Sequence, residues 1–233
     1  MLTDCPSPYQ VELFNEIEAH GGCELEVAYL RGRDPDRQWK PAVVRHESMA
    51  LDENGIARAR EAAGRADLVV INYYRHSHAE QLIAERATSG SPWCFWGERP
   101  GIRQPAWGGR VLRKWKLSKL HRAPVPIWGI GKFALDEYRR EFGSKRAYLN
   151  LPYFSDLQRF ETTDREERAE RVFVFSGSLT PRKGVDLLAK AFVRLASEAC
   201  NVKLKIVGAG ELRQSLEQTL APVRDRVEFA GFK

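Results

Sequence analysis

The sequence has no apolar run approaching the roughly 20 residues that a membrane-spanning helix needs. It has no internal repeat and no low-complexity tract. Its opening, MLTDCPSPYQ, lacks the apolar stretch after a basic one that marks a secretory leader, so a cytosolic setting is expected. Cysteine is scarce. Cys5, Cys23, Cys94 and Cys200 are scattered without CxxC spacing, which reads as reduced, buried thiols and argues against a disulfide framework or a zinc site. What is present is a chain of 233 residues, 43% apolar and 29% charged, enough for one large domain or two smaller ones with a buried core. The formal net charge of +6 favours anionic partners: nucleic acid, an acidic membrane surface or phosphorylated small molecules.

Apolar, β-rich runs alternate with helical patterns, as in parallel βαβ units. Strands are expected near 24–30, 67–71, 92–96, 126–129 and 147–149. The run DLVVI is almost wholly apolar, as buried parallel strands are. Helices are expected near 9–19, 55–63, 79–87, 109–120 and 132–142, the last closed by Gly143. These form a first domain over 1–155. A densely charged stretch, FETTDREERAER, places a linker at 156–170. A second series starts at 171: a strand at 171–176, a loop at 177–184 and a helix at 185–197. A strand at 203–207, a turn at 208–210, a helix at 211–220 stopped by Pro222, and a strand at 226–230 follow. Three strands and two helices over 171–233 are too few for a finished doubly wound domain.

The informative stretch is FSGSLTPRKG, from Phe175 to Gly184. A strand runs into a glycine, a short loop, and an Arg-Lys pair at the mouth of a helix. Free backbone N–H groups and the helix dipole favour an anion there. Arg182 and Lys183 add two full charges, and Arg can grip a phosphate in bidentate fashion. A solvated pair at a helix start is the competing reading, yet the dipole disfavours cations at that end. The stretch is not a P-loop, because the second glycine and the hydroxyl after Lys183 are missing. Nor is Gly208-Ala209-Gly210 a dinucleotide fingerprint, because Arg213 stands where a small residue is needed.

RVFVFSGSLTPRKGVDLLAKAFVRLA, then LKIVGAGELRQSLEQ, then RVEFAGF resemble in order and spacing the opening of the donor domain of family 4 glycosyltransferases. The resemblance covers Arg171 to Phe232. TDCPSPYQVELFNEI, ELEVAYL and LNLPYFSDLQRF are similar to the start and hinge of that family's acceptor domain, with the first strand reduced to Met1 and Leu2. The resemblance implies an α/β fold of GT-B type: two Rossmann-like parallel-sheet domains, the second incomplete in this chain. It implies transfer of a sugar, with retention of configuration, from a nucleotide-sugar to a glycan or lipid-linked glycan in cell-surface polysaccharide or lipopolysaccharide synthesis. A truncated, inactive binding protein that keeps the acceptor domain is the alternative.

By the same resemblance, Arg182 and Lys183, with Gly177 and Ser178, would hold the donor diphosphate. Gly208, Gly210, Glu211 and Phe232 would border the nucleotide, though plain βα turns account for those positions equally. Many relatives carry arginine where Ser178 stands, and Arg182 is then expected to supply the charge. The family's catalytic E-x7-E pair falls beyond Lys233; Glu53 with Glu61, and Glu16 with Glu24, show that spacing by chance. No cofactor and no metal are expected, since cationic side chains neutralise the diphosphate.

On the acceptor side, loops after strands offer NYYRHSH (72–78) and GERPGIR (97–103). Glu98 and His76 are the candidates for orienting an acceptor hydroxyl, against ordinary solvated or capping roles. Many relatives carry a histidine near that strand end, so Glu98 is a departure. The stretch WGGRVLRKWKLSKLHR (107–122) is strongly basic and holds Trp107 and Trp115, which suits peripheral contact with an anionic membrane on its inner face. A buried helix with a basic outer face is the competing reading. Nucleic acid is not expected as a partner, since basic residues are not interleaved with stacking aromatics over a sheet.

Overall fold

Seven short runs in the first part of the chain become parallel strands. The structure is a computed structural model that describes residues 1–34, 39, 42–73, 76–100, 111–112, 114–115, 117–158, 161 and 170–233. The chain divides into two units, Met1–Arg159 and Phe160–Lys233.

The strands of the first unit are β1 (Leu2–Thr3), β2 (Glu26–Tyr29), β3 (Glu47–Ala50), β4 (Val69–Ile71), β5 (Trp93–Gly97), β6 (Ile127–Gly129) and β7 (Tyr148–Asn150). Their order is β3-β2-β1-β4-β5-β6-β7, and every pairing is parallel. A parallel sheet must be covered on both faces. The cover comes from α1 (Pro8–His20), α2 (Glu53–Arg65), α3 (Ser77–Ser89), α4 (Ser118–Arg122) and α5 (Lys132–Phe142). Successive strand residues alternate between faces. Val27 and Tyr29 therefore join Phe14 and Trp96 in one core, while Ala28 and Phe95 join Leu2, Ile71, Leu120 and Ile127 in the other.

Two buried polar residues tie these elements. Arg86 on α3 is 4% exposed. Its guanidinium donates to the carbonyls of Ala63 (2.7 Å), Ala66 and Pro92, joining the end of α2 to the entry of β5. Asn15 on α1 donates to the Val43 carbonyl (2.8 Å) and accepts from the Arg45 and His46 amides.

The second unit holds β8 (Arg171–Ser176), β9 (Val202–Val207) and β10 (Val227–Gly231), in the order β10-β9-β8 and again parallel. Helices α6 (Val185–Glu198) and α7 (Arg213–Thr219) and 3-10 turns at Pro181–Lys183 and Ala221–Arg226 complete it. Val202, Leu204 and Ile206 meet Val185, Phe192, Leu216 and Leu220 in one core. On β8, by contrast, Val172, Phe173 and Val174 are exposed, Val174 to 63%.

The parallel α/β architecture expected from the sequence is the observed one. β3 is not among the strands expected from the sequence, while β1 is the short strand expected, at Leu2–Thr3 rather than Met1–Leu2. β3, with the residues ESMA, is an edge strand with one neighbour, so it needs no apolar run. β1 has only two residues yet sits mid-sheet, because Leu2 stands opposite both Ala28 and Ile71. The helix expected at 109–120 lies partly outside the described residues; the helix that ends at Arg122 starts at Ser118, after a turn at Leu117. The helix expected from Glu211 starts at Arg213, because the Leu212 amide is drawn to the Leu179 carbonyl (3.0 Å). Most of the charged stretch, 162–169, lies outside the described residues.

Candidate functional site

In the second unit the turns at the carboxyl ends of the three strands are zipped together through backbone. Gly177 N–H donates to the Val207 carbonyl (3.0 Å), Leu179 N–H to Ala209 (2.9 Å) and Gly208 N–H to Gly231 (2.7 Å). Gly208 (φ +141°) and Gly210 (φ +155°) lie where side chains are rarely tolerated, and both press on the first turn. A Cβ at Gly210 would stand 2.6 Å from the Leu179 carbonyl oxygen. Leu179, fully buried, is the anchor that composition did not single out; both its amide and its carbonyl bond the second turn.

Arg182 and Lys183 ride on the 3-10 turn that follows. Gly184, at φ +67°, ends that turn with its N–H on the Pro181 carbonyl (3.0 Å) and caps α6. The first helical bond is Leu188 N–H to the Gly184 carbonyl (3.1 Å). The amides of Val185, Asp186 and Leu187 therefore lack partners in the helix ladder. Both basic side chains are exposed, and among the described residues neither has an ion pair or hydrogen bond. Two cations without an ion pair thus stand where the helix dipole is also positive, with Asp186 in the first helical turn as the one acid there. An anion such as a diphosphate would relieve both. Ser178 is half-buried in the same turn, Glu211 is exposed on the second turn, and Phe232 is exposed just past β10.

In the first unit the strand order reverses between β1 and β4, and parallel sheets bind ligands outside the carboxyl ends at such a reversal. Buried polar groups collect there. The Ser7 hydroxyl donates to Gln10 Oε1 (2.9 Å), the Thr3 hydroxyl to Asn72 Oδ1 (3.1 Å), and Asn72 Nδ2 to the Trp96 carbonyl (2.8 Å).

Glu98 follows β5 on this edge. It accepts from the Tyr153 hydroxyl (3.1 Å), and its backbone carbonyl accepts from the Tyr138 hydroxyl (2.7 Å). The Tyr153 ring lies 4.4 Å from Tyr9 and 5.6 Å from Trp96. Burial, and then the neighbouring Tyr9 and Glu98, raise the Tyr153 pKa, so its hydroxyl stays a donor. The Ser155 hydroxyl and the Asp156 amide bond the Glu12 carboxylate (3.1 and 2.8 Å), so the segment after β7 folds back over the carboxyl edge.

His76 has a local task instead. It precedes α3, and its Nδ1 accepts from the His78 amide at 3.4 Å. Glu98 is thus brought together with Tyr153, and His76 with His78. Tyr74, Arg75 and 101–103 of the two expected acceptor loops lie outside the described residues. Of the basic stretch, 107–110, 113 and 116 lie outside them as well. Among the described residues no group of three or more His, Cys, Asp or Glu gathers as for a metal ion.

Several known proteins resemble this chain in sequence or in fold. The chain is 26% identical over 147 residues to a GDP-mannose-dependent monoacylated alpha-(1-6)-phosphatidylinositol monomannoside mannosyltransferase of Corynebacterium glutamicum, a match covering 58% of this chain and 36% of that protein. It therefore spans about a third of the length of that curated relative. HepE of Anabaena, solved in complex with UDP and glucose, superposes with a TM-score of 0.62 at 14% identity, over 100% of this chain and 68% of HepE. The apo lipopolysaccharide outer core galactosyltransferase WaaB gives 0.62 at 13%, over 100% and 67%. At such identities the likeness is one of fold, and that fold is the GT-B type. Residues 170–233, the three zipped strand-turn units with Arg182 and Lys183, match the family model described as "Glycosyl transferases group 1".

Proposed function

We propose that this chain carries the acceptor side and the donor-diphosphate turn of a retaining family 4 glycosyltransferase that works in cell-surface polysaccharide or lipopolysaccharide synthesis. Residues 1–155 form the acceptor domain, 156–170 a linker, and 171–233 the opening of the nucleotide-sugar domain. The observation that carries this reading is Arg182 and Lys183, two cations without an ion pair among the described residues, on a turn within the stretch that matches the family model.

The donor is a nucleotide-sugar. Its diphosphate lies against Arg182, Lys183 and the amides around Gly177 and Ser178. Gly208, Gly210, Glu211 and Phe232 border the nucleotide. As the bond from the anomeric carbon to the diphosphate oxygen breaks, negative charge builds on the leaving group, and the guanidinium and ammonium stabilise it without a metal. The acceptor hydroxyl, on a glycan or lipid-linked glycan, attacks from the face the diphosphate leaves and passes its proton to the departing phosphate oxygen. On the first unit, Glu98 and His76 are the candidates for binding the acceptor, and Glu98 is the one held by Tyr153. UDP and glucose bound to HepE, and the GDP-mannose dependence of the corynebacterial mannosyltransferase, support the donor class. The setting is the cytoplasm, at the inner face of a membrane.

The test is a calorimetric titration of UDP and of GDP into the chain, repeated on Arg182→Ala and Lys183→Ala. Binding of one diphosphate that each substitution weakens supports the proposal. Equal affinity in all three proteins would remove the diphosphate from this turn.

A further inference from the structure

An aromatic ring stands uncovered where α5 begins. Phe133 is the second residue of that helix and is 75% exposed. The helix starts directly after β6, so its first turn lies at the carboxyl edge of the first sheet. Bonds tie this turn to the neighbouring strand end. The Ile130 amide donates to the Gly97 carbonyl (2.9 Å), and Arg99 pairs with Glu137 of α5 (3.2 Å). Phe133 and Glu137 are four residues apart and share one helix face, with Phe133 about 6 Å further out. Phe133 therefore flanks Glu98 and Arg99 on the face of the sheet that α5 covers. On the opposite face, Tyr153 packs in the core of Phe14 and Trp96 and donates to Glu98 Oε1 (3.1 Å). Glu98 is exposed, and among the described residues its other carboxylate oxygen has no partner.

We infer that Phe133 and Glu98 form a subsite for a pyranose ring, with Phe133 as its stacking platform. The chemistry of the pair selects this ligand. The face of an aromatic ring is electron-rich and attracts C–H groups. A carboxylate can only accept hydrogen bonds, so it calls for donors. A pyranose offers both at once: a face of C–H bonds and a rim of hydroxyls. A lipid tail has no donor for Glu98, and a phosphate is repelled by it. The Tyr153 hydroxyl already holds the carboxylate, so a sugar does not have to order it. That this sugar is the acceptor rests on the proposed function; the affinity for a pyranose does not.

Saturation-transfer NMR on the chain tests it. The probes are the methyl α-pyranosides of glucose, mannose and galactose, with sorbitol and cyclohexanol as controls. At least one glycoside is expected to take up saturation on the C–H protons of one ring face. It should do so ahead of sorbitol, which has hydroxyls and no ring, and of cyclohexanol, which has a ring and a single hydroxyl. Phe133→Leu should weaken that binding about 2- to 10-fold, the range of one aromatic contact, and Phe133→Tyr should preserve it. Circular dichroism should be unchanged in both, because the ring is exposed. Glu98→Gln should weaken binding by a similar factor, that of about one hydrogen bond. No uptake by any glycoside would overturn the inference. So would binding indifferent to Phe133→Leu, or cyclohexanol bound as strongly as the best glycoside, which would make the ring a plain apolar contact. The samples hold no nucleotide, so a failure here and a failure of diphosphate binding are read separately.

Discussion

Gly208 has no room for a side chain: a Cβ on it would stand 1.9 Å from the carbonyl oxygen of Gly177. The two glycines hold the first and second turns of the second unit at backbone contact. Gly208→Ala should therefore destabilise the second unit by about 2–4 kcal/mol, from the strained φ and the overlap together. Amide exchange at Leu179, whose N–H bonds Ala209 in the adjoining turn, is the local readout. Unchanged protection at Leu179 would show that the turns are not in contact.

Arg182→Ala and Lys183→Ala should behave in the opposite way. Both side chains are exposed and without ion pairs among the described residues, so chemical denaturation should not register their loss. Nucleoside diphosphate affinity should fall about 10- to 100-fold for each, the range of a charge-assisted hydrogen bond of roughly 1.5–3 kcal/mol. A loss of stability with affinity intact would reverse the assignment and make the pair structural.

Arg86→Met keeps the aliphatic stem and removes the guanidinium. The carbonyls of Ala63, Ala66 and Pro92 then lose their donor in the interior. A destabilisation of about 2–4 kcal/mol in urea is expected. A value near zero would show that water replaces the guanidinium.

His46 makes the first unit sensitive to acid. The ring is buried: its Nδ1 pairs with Asn15 Oδ1 (2.8 Å) and its Nε2 with the Tyr29 hydroxyl (2.9 Å). Asn15 Oδ1 can only accept, so Nδ1 carries the proton and Nε2 accepts from Tyr29. Burial lowers the pKa of His46 below the ordinary 6.5, against a smaller opposing pull from Glu18. As pH falls, the unfolded chain takes the proton first. The contribution is therefore complete above about 6.5, declines between 6.5 and the folded value, and levels off below it. For one proton the slope is at most about 1.4 kcal/mol per pH unit. Denaturation midpoints across this range should show the decline, and His46→Gln should flatten it. A wild-type profile as flat as the variant's would dismiss the histidine.

What could be read from the residues beforehand was set by how each part carries its information. β9 alternates buried Val202, Leu204 and Ile206 with outward lysines, and α6 repeats apolar residues at helical spacing, so both were legible from pattern. β3 was not, because an edge strand of Glu47, Ser48, Met49 and Ala50 has no pattern to read. Arg86 resembles any solvated helical arginine until the three carbonyls around it are seen. Glu98 could be picked as a carboxylate after a strand, yet its partner Tyr153 arrives from the far side of β7, and no local spacing announces a contact of that range. The glycines at 208 and 210 looked like ordinary βα punctuation, and their role depends on a neighbour more than 25 residues earlier in the chain.

The two-residue strand in the middle of the first sheet has a kinetic consequence. The backbone of Leu2 and Thr3 pairs with residues 28–30 of one neighbour and 71–72 of the other, so no ladder bond across that strand forms by local search. Loops must close before any reward arrives, and such topologies assemble in milliseconds to seconds. Stopped-flow refolding should therefore reach its native signal slowly, with helical signal appearing ahead of the parallel hydrogen bonds on either side of Leu2.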